Sequence, residues 1–190
     1  MASRVEHSVE IQRPVDQVFA FVDDYRNTTR YTVGLSEWQP VGEKTQGKGS
    51  RFALTKRTPG VPDIKSEVEI TGWTKNKLIA FTSYSGFENS GSYEFLADGD
   101  KTVVRLINIY DIASVLGGGR GGVFGGLARR VGGAAGKALE GSVLRDLEKS
   151  LQNLKGLVEK ETAGVPSSHA QRSRAGATRK APARKRPAKP

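Results

Sequence analysis

The chain has 190 residues, a formal net charge of +10, no cysteine, and two histidines, His7 and His169. The absence of cysteine excludes a disulfide framework, a thiolate nucleophile and a zinc–thiolate site, and the two histidines are too isolated to show metal-ligand spacing. No metal and no cofactor is expected.

The charge is unevenly placed. Arg172, Arg174, Arg179, Lys180, Arg184, Lys185, Arg186 and Lys189 follow residue 163 with no acid among them, leaving 22 basic residues against 20 acidic ones before that point. The body is near-neutral and the basicity belongs to a tail. The opening MASRVEHSVE lacks the basic-then-apolar pattern of a signal peptide. No stretch is apolar and uncharged over the roughly 18 residues that a membrane span needs. A cytoplasmic location is the expectation.

In chain order, Val5, Val9 and Ile11 alternate with Glu6, Ser8, Glu10 and Gln12, the period of a half-buried strand. His7 falls on the apolar side and reads as a partly buried strand residue. Pro14 suits the first turn of a helix, where its missing N–H costs nothing. Asp16 complements the positive end of that helix's dipole. Val15, Val18, Phe19 and Val22 give it one buried face, and residues 25–31 fit a second short helix.

Residues 35–41 and 50–58 read as strands. Ile64, Ser66, Val68 and Ile70 alternate with Lys65, Glu67, Glu69 and Thr71 in the clearest strand of the chain. Residues 78–84 follow the Lys75-Asn76 turn. Residues 92–96 and 102–110 flank Asp98-Gly99-Asp100, a hairpin signal. Successive strands joined by short turns favour an antiparallel meander. Leu144, Leu147, Leu151, Leu154 and Val158 then recur at three- and four-residue steps, an amphipathic helix whose apolar stripe needs a sheet to cover it.

The segment 117–136 has ten glycines in twenty residues. Gly117, Gly119 and Gly122 match a dinucleotide fingerprint literally, but no strand–helix–strand unit surrounds them, and Gly136-Lys137 lacks the Ser or Thr of a P-loop. Phe124, Leu127 and Val131 sit at helical spacing there. The segment reads as a flexible connection or as a gate over a cavity. From residue 163 on, Ala, Pro, Ser, Arg and Lys dominate, a composition that forms no core and is expected to be disordered. Its basic residues, Arg172 to Lys189, suit non-specific contact with nucleic acid or with an anionic membrane, which would make the protein peripheral to that membrane.

Three stretches carry a resemblance: IQRPVDQVFAFVDD at 11–24, GKGSRF at 47–52, and the closing helix at 144–161 with LQNLK at 151–155. They resemble the START-like (SRPBCC) helix-grip superfamily, which includes polyketide cyclases and dehydrases, Bet v 1-like allergens and coenzyme Q-binding proteins. The resemblance covers about residues 3–162 and implies an α+β fold: a seven-stranded curved antiparallel sheet around a long C-terminal helix, with an apolar ligand cavity between them. Where such proteins often carry Pro-x-Trp, this chain has Thr29-Arg30-Tyr31, so Tyr31 would stand for the tryptophan that lines the cavity mouth.

The expected organisation is thus a helix-grip domain over 1–162 and a basic tail over 163–190. Polar candidates for the cavity are Tyr25, Tyr31, Arg51, Tyr84, Asn108 and Tyr110, since a few convergent polar groups orient a ligand in an apolar pocket. No Ser–His–Asp arrangement or assignable acid pair is visible, so a carrier or sensor of a hydrophobic small molecule or lipid is the leading expectation. The alternative is a cyclase- or dehydratase-like enzyme that uses a tyrosine or arginine of the same cavity to polarise a ketone. A further alternative is a binding module tethered by its tail to nucleic acid or membrane.

Overall fold

The computed structural model describes residues 2–58, 61–86, 88–111 and 134–163. Strand β1 (Ala2–Ile11) leads into helix α1 (Val15–Asp23). A 3-10 turn (Tyr25–Asn27) and the single-turn helix α2 (Thr28–Tyr31) follow. Then come β2 (Leu35–Pro40), β3 (Arg51–Thr58), β4 (Val61–Thr74), β5 (Leu78–Gly86), β6 (Asn89–Asp98) and β7 (Lys101–Asp111). Helix α3 (Ala134–Glu161) closes the described chain.

The seven strands form one antiparallel sheet in the order β1-β7-β6-β5-β4-β3-β2. The meander is as expected from the short turns, and β1 completes it by pairing with β7, Val9 opposite Val104. Register shifts interrupt the β2–β3, β3–β4 and β4–β5 ladders. Bulges of this kind bend a strand and add twist, so the sheet curls. Its concave side receives α1, α2 and α3.

The alternation read from the sequence decides which side faces in. Val9 and Ile11 of β1, Val68 and Ile70 of β4, and Val104 and Leu106 of β7 are buried, with Val18, Phe19 and Val22 of α1 packed against them. His7 is half-buried on that same side. On α3, Leu147, Leu151, Leu154 and Val158 are buried, and the helix packs against β1 and α2. Leu144 departs from the expected stripe: it is 41% exposed.

Side-chain bonds lock the closing helix in place. Arg13, just after β1, donates from Nε to Thr162 Oγ1 at 3.0 Å and from Nη2 to the carbonyl of Glu159. Ser150 Oγ donates to the carbonyl of Asp146 at 2.6 Å and accepts from the backbone N–H of Val33 at 2.9 Å, pinning α3 to the segment after α2. Residues 112–133 and 164–190, which include most of the glycine-rich segment and nearly all of the basic tail, lie outside the described residues.

Candidate functional site

Between the concave side of the sheet and the helices lies a cavity of about 230 Å³. The strands supply Phe52, Leu54, Val68, Ile70, Ile79, Phe81 and Leu106, while Val143 and Leu147 come from α3. Each strand residue in that set is at a position of inward parity, so the alternation that makes the core also makes the wall. Both tryptophans of the chain, Trp38 and Trp73, line it too. The Trp38 and Phe52 rings stack with centroids 5.0 Å apart and planes 13° from parallel, forming a flat aromatic panel. Tyr25 extends that panel, its ring centroid 5.8 Å from that of Phe52.

Polar groups enter this wall at three places. Tyr31 of α2 and Tyr93 of β6 meet edge to face with ring centroids 6.5 Å apart. Burial pushes the Tyr31 phenol well above its ordinary value, and the neighbouring Tyr93 adds to the shift. The Tyr93 phenol is pushed up to about 12, again chiefly by burial. Like any tyrosine, both are protonated hydrogen-bond donors at neutral pH, and burial extends that state to higher pH. Second, Lys56 Nζ lies 3.8 Å from Asp146 Oδ2, a charge contact between β3 and α3 that is longer than a hydrogen bond. Third, Asn89 and Asn108 project from neighbouring strands β6 and β7.

Asp23 closes another side. Its Oδ1 accepts from Trp73 Nε1 at 2.7 Å and its Oδ2 accepts from Gln46 Nε2. The 41–50 loop is thereby held against the end of α1. The turn into β3 needs left-handed backbone at Gly47 (φ 79°) and Gly49 (φ 85°), which explains glycine at both positions. Ser50, fully buried beside them, donates from Oγ to the carbonyl of Gly47 at 2.7 Å.

Of the residues singled out from the sequence, Tyr25, Tyr31, Asn108 and Tyr110 line the cavity. Arg51 and Tyr84 do not, and this corrects the expectation for both. Phe52 takes the inward position of β3, which turns Arg51 outward to donate from Nε to Glu69 Oε2 at 3.0 Å. Its guanidinium stacks 3.7 Å over the ring of Tyr84, which is 57% exposed. The proposed gate residues Phe124, Leu127 and Val131 lie outside the described residues. The sequence reading passed over Tyr93, Trp38, Trp73, Lys56 and Asp146. Tyr93 had a signal, since it precedes Phe95 by two positions on one strand face. For Lys56 and Asp146 no local pattern exists, because they meet only through the packing of α3 on the sheet.

Among the described residues no cluster of three or more His, Cys, Asp or Glu side chains is placed to hold a metal ion. No helix among them is long and apolar enough to cross a membrane.

A curled seven-stranded sheet closed by a long C-terminal helix over an apolar cavity is the helix-grip fold. The chain belongs to the family described as polyketide cyclase / dehydrase and lipid transport, whose sequence model matches residues 2–159. Among curated proteins none matches in sequence. Solved structures share the fold. The Zhui aromatase/cyclase from Streptomyces sp. R1128 superposes with a TM-score of 0.64 at 18% identity, covering 86% of this chain and 99% of that one. TTHA0849 from Thermus thermophilus gives 0.63 at 21% identity, covering 82% and 97%. A START superfamily protein from Mycobacterium smegmatis gives 0.60 at 16% identity, covering 83% and 97%.

Proposed function

We propose that this protein binds a hydrophobic small molecule in its internal cavity and carries or presents it without altering it. The cavity itself is the observation that carries this reading: about 230 Å³ bounded largely by aromatic and branched aliphatic side chains. An apolar pocket of about 150 Å³ already holds benzene, so this space suits a molecule of roughly two fused rings. Sites for drug-sized ligands are larger, about 300–1,000 Å³, which favours a compact ligand over a long acyl chain. Membership of a family described by both cyclisation and lipid transport is consistent with a hydrophobic ligand.

Native mass spectrometry of freshly purified protein, followed by solvent extraction, tests the reading. The expected result is a one-to-one adduct of a discrete apolar molecule, or one-to-one uptake of an added apolar probe by empty protein. Failure of both would overturn it.

A second reading, a cyclase- or dehydratase-like enzyme, is favoured by the Tyr31–Tyr93 pair. Two phenols that meet at one point of an apolar wall offer a hydroxyl donor for a ketone oxygen and for the enolate that forms there. Conversion of a trial polyketone by the wild-type protein, lost in Tyr31→Phe, would separate this reading from the first.

A further inference from the structure

The cavity lining carries two side-chain amides whose hydrogen-bonding capacity the described chain does not fill. Asn89 and Asn108 both line it. On the paired strands, Asn89 stands opposite Tyr110 and Asn108 opposite Gly91, so the two amides are diagonal neighbours on one face. Diagonal neighbours of this kind lie about 7–8 Å apart at Cα, within reach of each other for long side chains. The Oδ1 atoms of Asn89 and Asn108 are both shielded from water and accept no hydrogen bond. An amide oxygen in that condition has lost its hydration without a replacement partner.

The surroundings narrow what can satisfy these amides. Gly91 lies between them in the register. A Cβ built there would come within 2.4 Å of the Ile107 carbonyl oxygen and 2.7 Å of Phe81 Cζ. The missing side chain therefore leaves room for the tip of the Phe81 ring beside the strand that carries the two amides. Phe81 and Leu106 bound the spot beside Tyr110, and no basic residue of β5, β6 or β7 is among the described residues of the lining. Among the described residues that line the cavity, Lys56 is the one basic side chain, against the acids Asp23 and Asp146, and it already faces Asp146. Among the described residues, a ligand carboxylate meets no cation beside the two amides.

We propose that Asn89 and Asn108 form a subsite for the hydroxyl group of an uncharged apolar alcohol or phenol. This rests on the cavity-binding reading above and specifies the ligand's chemistry. A hydroxyl both donates and accepts. It pairs with an asparagine whichever end of the amide faces the cavity, since a half-turn of the amide exchanges Oδ1 and Nδ2 at no cost in shape. A plain hydrocarbon leaves the amides unpaired, and a carboxylate, which only accepts, leaves any amide oxygen that faces it unpaired. The apolar body of the ligand then lies along Phe81 toward the Trp38–Phe52 panel.

The test is isothermal titration calorimetry of the full-length protein with naphthalene and 2-naphthol, repeated on Asn89→Leu and Asn108→Leu. Leucine keeps the volume and removes the polar group. The wild type should bind 2-naphthol about two- to tenfold more tightly than naphthalene, the range one net buried hydrogen bond gives. In at least one variant that preference should vanish while naphthalene affinity holds or rises, which also reports that the variant is folded. Equal affinities in the wild type overturn the subsite, and that comparison needs no variant. A preference that survives in both variants overturns it as well. If neither compound binds the wild type, the cavity reading itself fails and the subsite fails with it.

Discussion

Trp73 and Asp23 stand 50 positions apart in sequence, yet the indole Nε1 of one donates to the carboxylate of the other at 2.7 Å. The bond joins the far end of β4 to the last residue of α1. The Trp73 ring also meets Phe19 edge to face at 5.5 Å. Trp73 thus ties the first helix to the sheet through one polar and one aromatic contact, beside the Phe19–Phe95 ring contact at 5.1 Å.

Trp73→Phe keeps the ring packing and removes the donor. Hydrogen bonds to charged groups contribute about 1.5–3 kcal/mol, so urea unfolding should show a loss of that order. Asp23→Asn retains an acceptor and should lose less. Equal stability of Trp73→Phe and wild type would contradict a structural role for this bond.

The tyrosine pair predicts a pH dependence. In the unfolded chain a tyrosine ionises near 10.0, whereas folded Tyr93 ionises near 12 and Tyr31 is raised as well. Above the unfolded value the unfolded state binds fewer protons than the folded one, so stability falls as pH rises. This contribution is fully present below about pH 10 and is lost as pH climbs through 12. Tyr93→Phe should make the urea midpoint less sensitive to pH between 10 and 12 than it is in the wild type, and an unchanged slope would contradict the burial argument.

The stripe of α3 predicts two unlike outcomes from one substitution type. Leu154 is 0% exposed, and Leu154→Ala should cost about 2–5 kcal/mol through lost burial and the cavity left behind. Leu144 is 41% exposed, and Leu144→Ala should stay within about 0.5 kcal/mol of wild type. Similar losses at both sites in urea unfolding would show that the helix buries a different face.

Arg51 and Tyr84 lie on the outer face of the sheet, so Arg51→Ala and Tyr84→Ala should leave the affinity for an apolar probe unchanged. A large loss of affinity in either, measured by calorimetry, would place them at the ligand after all.

The strands and the closing helix were legible because period two and period 3.6 are local signals written by burial. Val68 and Ile70, or Leu151 and Leu154, announce their faces without reference to the rest of the chain. The cavity residues were legible only in part. Asn108 and Tyr110 share the parity of Val104 and Leu106, which the sequence shows. Strand β3 begins at its inward-facing Phe52 only after an outward Arg51, and that phase is visible only once the strand is paired. In β5, Ile79 and Phe81 turn inward and Tyr84 outward, a parity that its mixed apolar sequence conceals. Contacts such as Trp73 with Asp23 or Lys56 with Asp146 are products of tertiary packing, and no local pattern encodes them. The longer reach of β4, Val61–Thr74, reflects pairing on both sides with β3 and β5 rather than its own alternation, which is clear only over its middle.

The chain's two tryptophans both line the cavity, which makes them built-in reporters of its contents. The most direct test of the central claim is excitation of Trp38 and Trp73 during titration with the bicyclic apolar probe 1-aminonaphthalene, read as energy transfer to the bound probe. A probe held in the cavity predicts saturable transfer with one-to-one stoichiometry, abolished by an excess of a competing bicyclic hydrocarbon. Transfer that never saturates, or none up to the solubility limit of the probe, would contradict an apolar binding cavity.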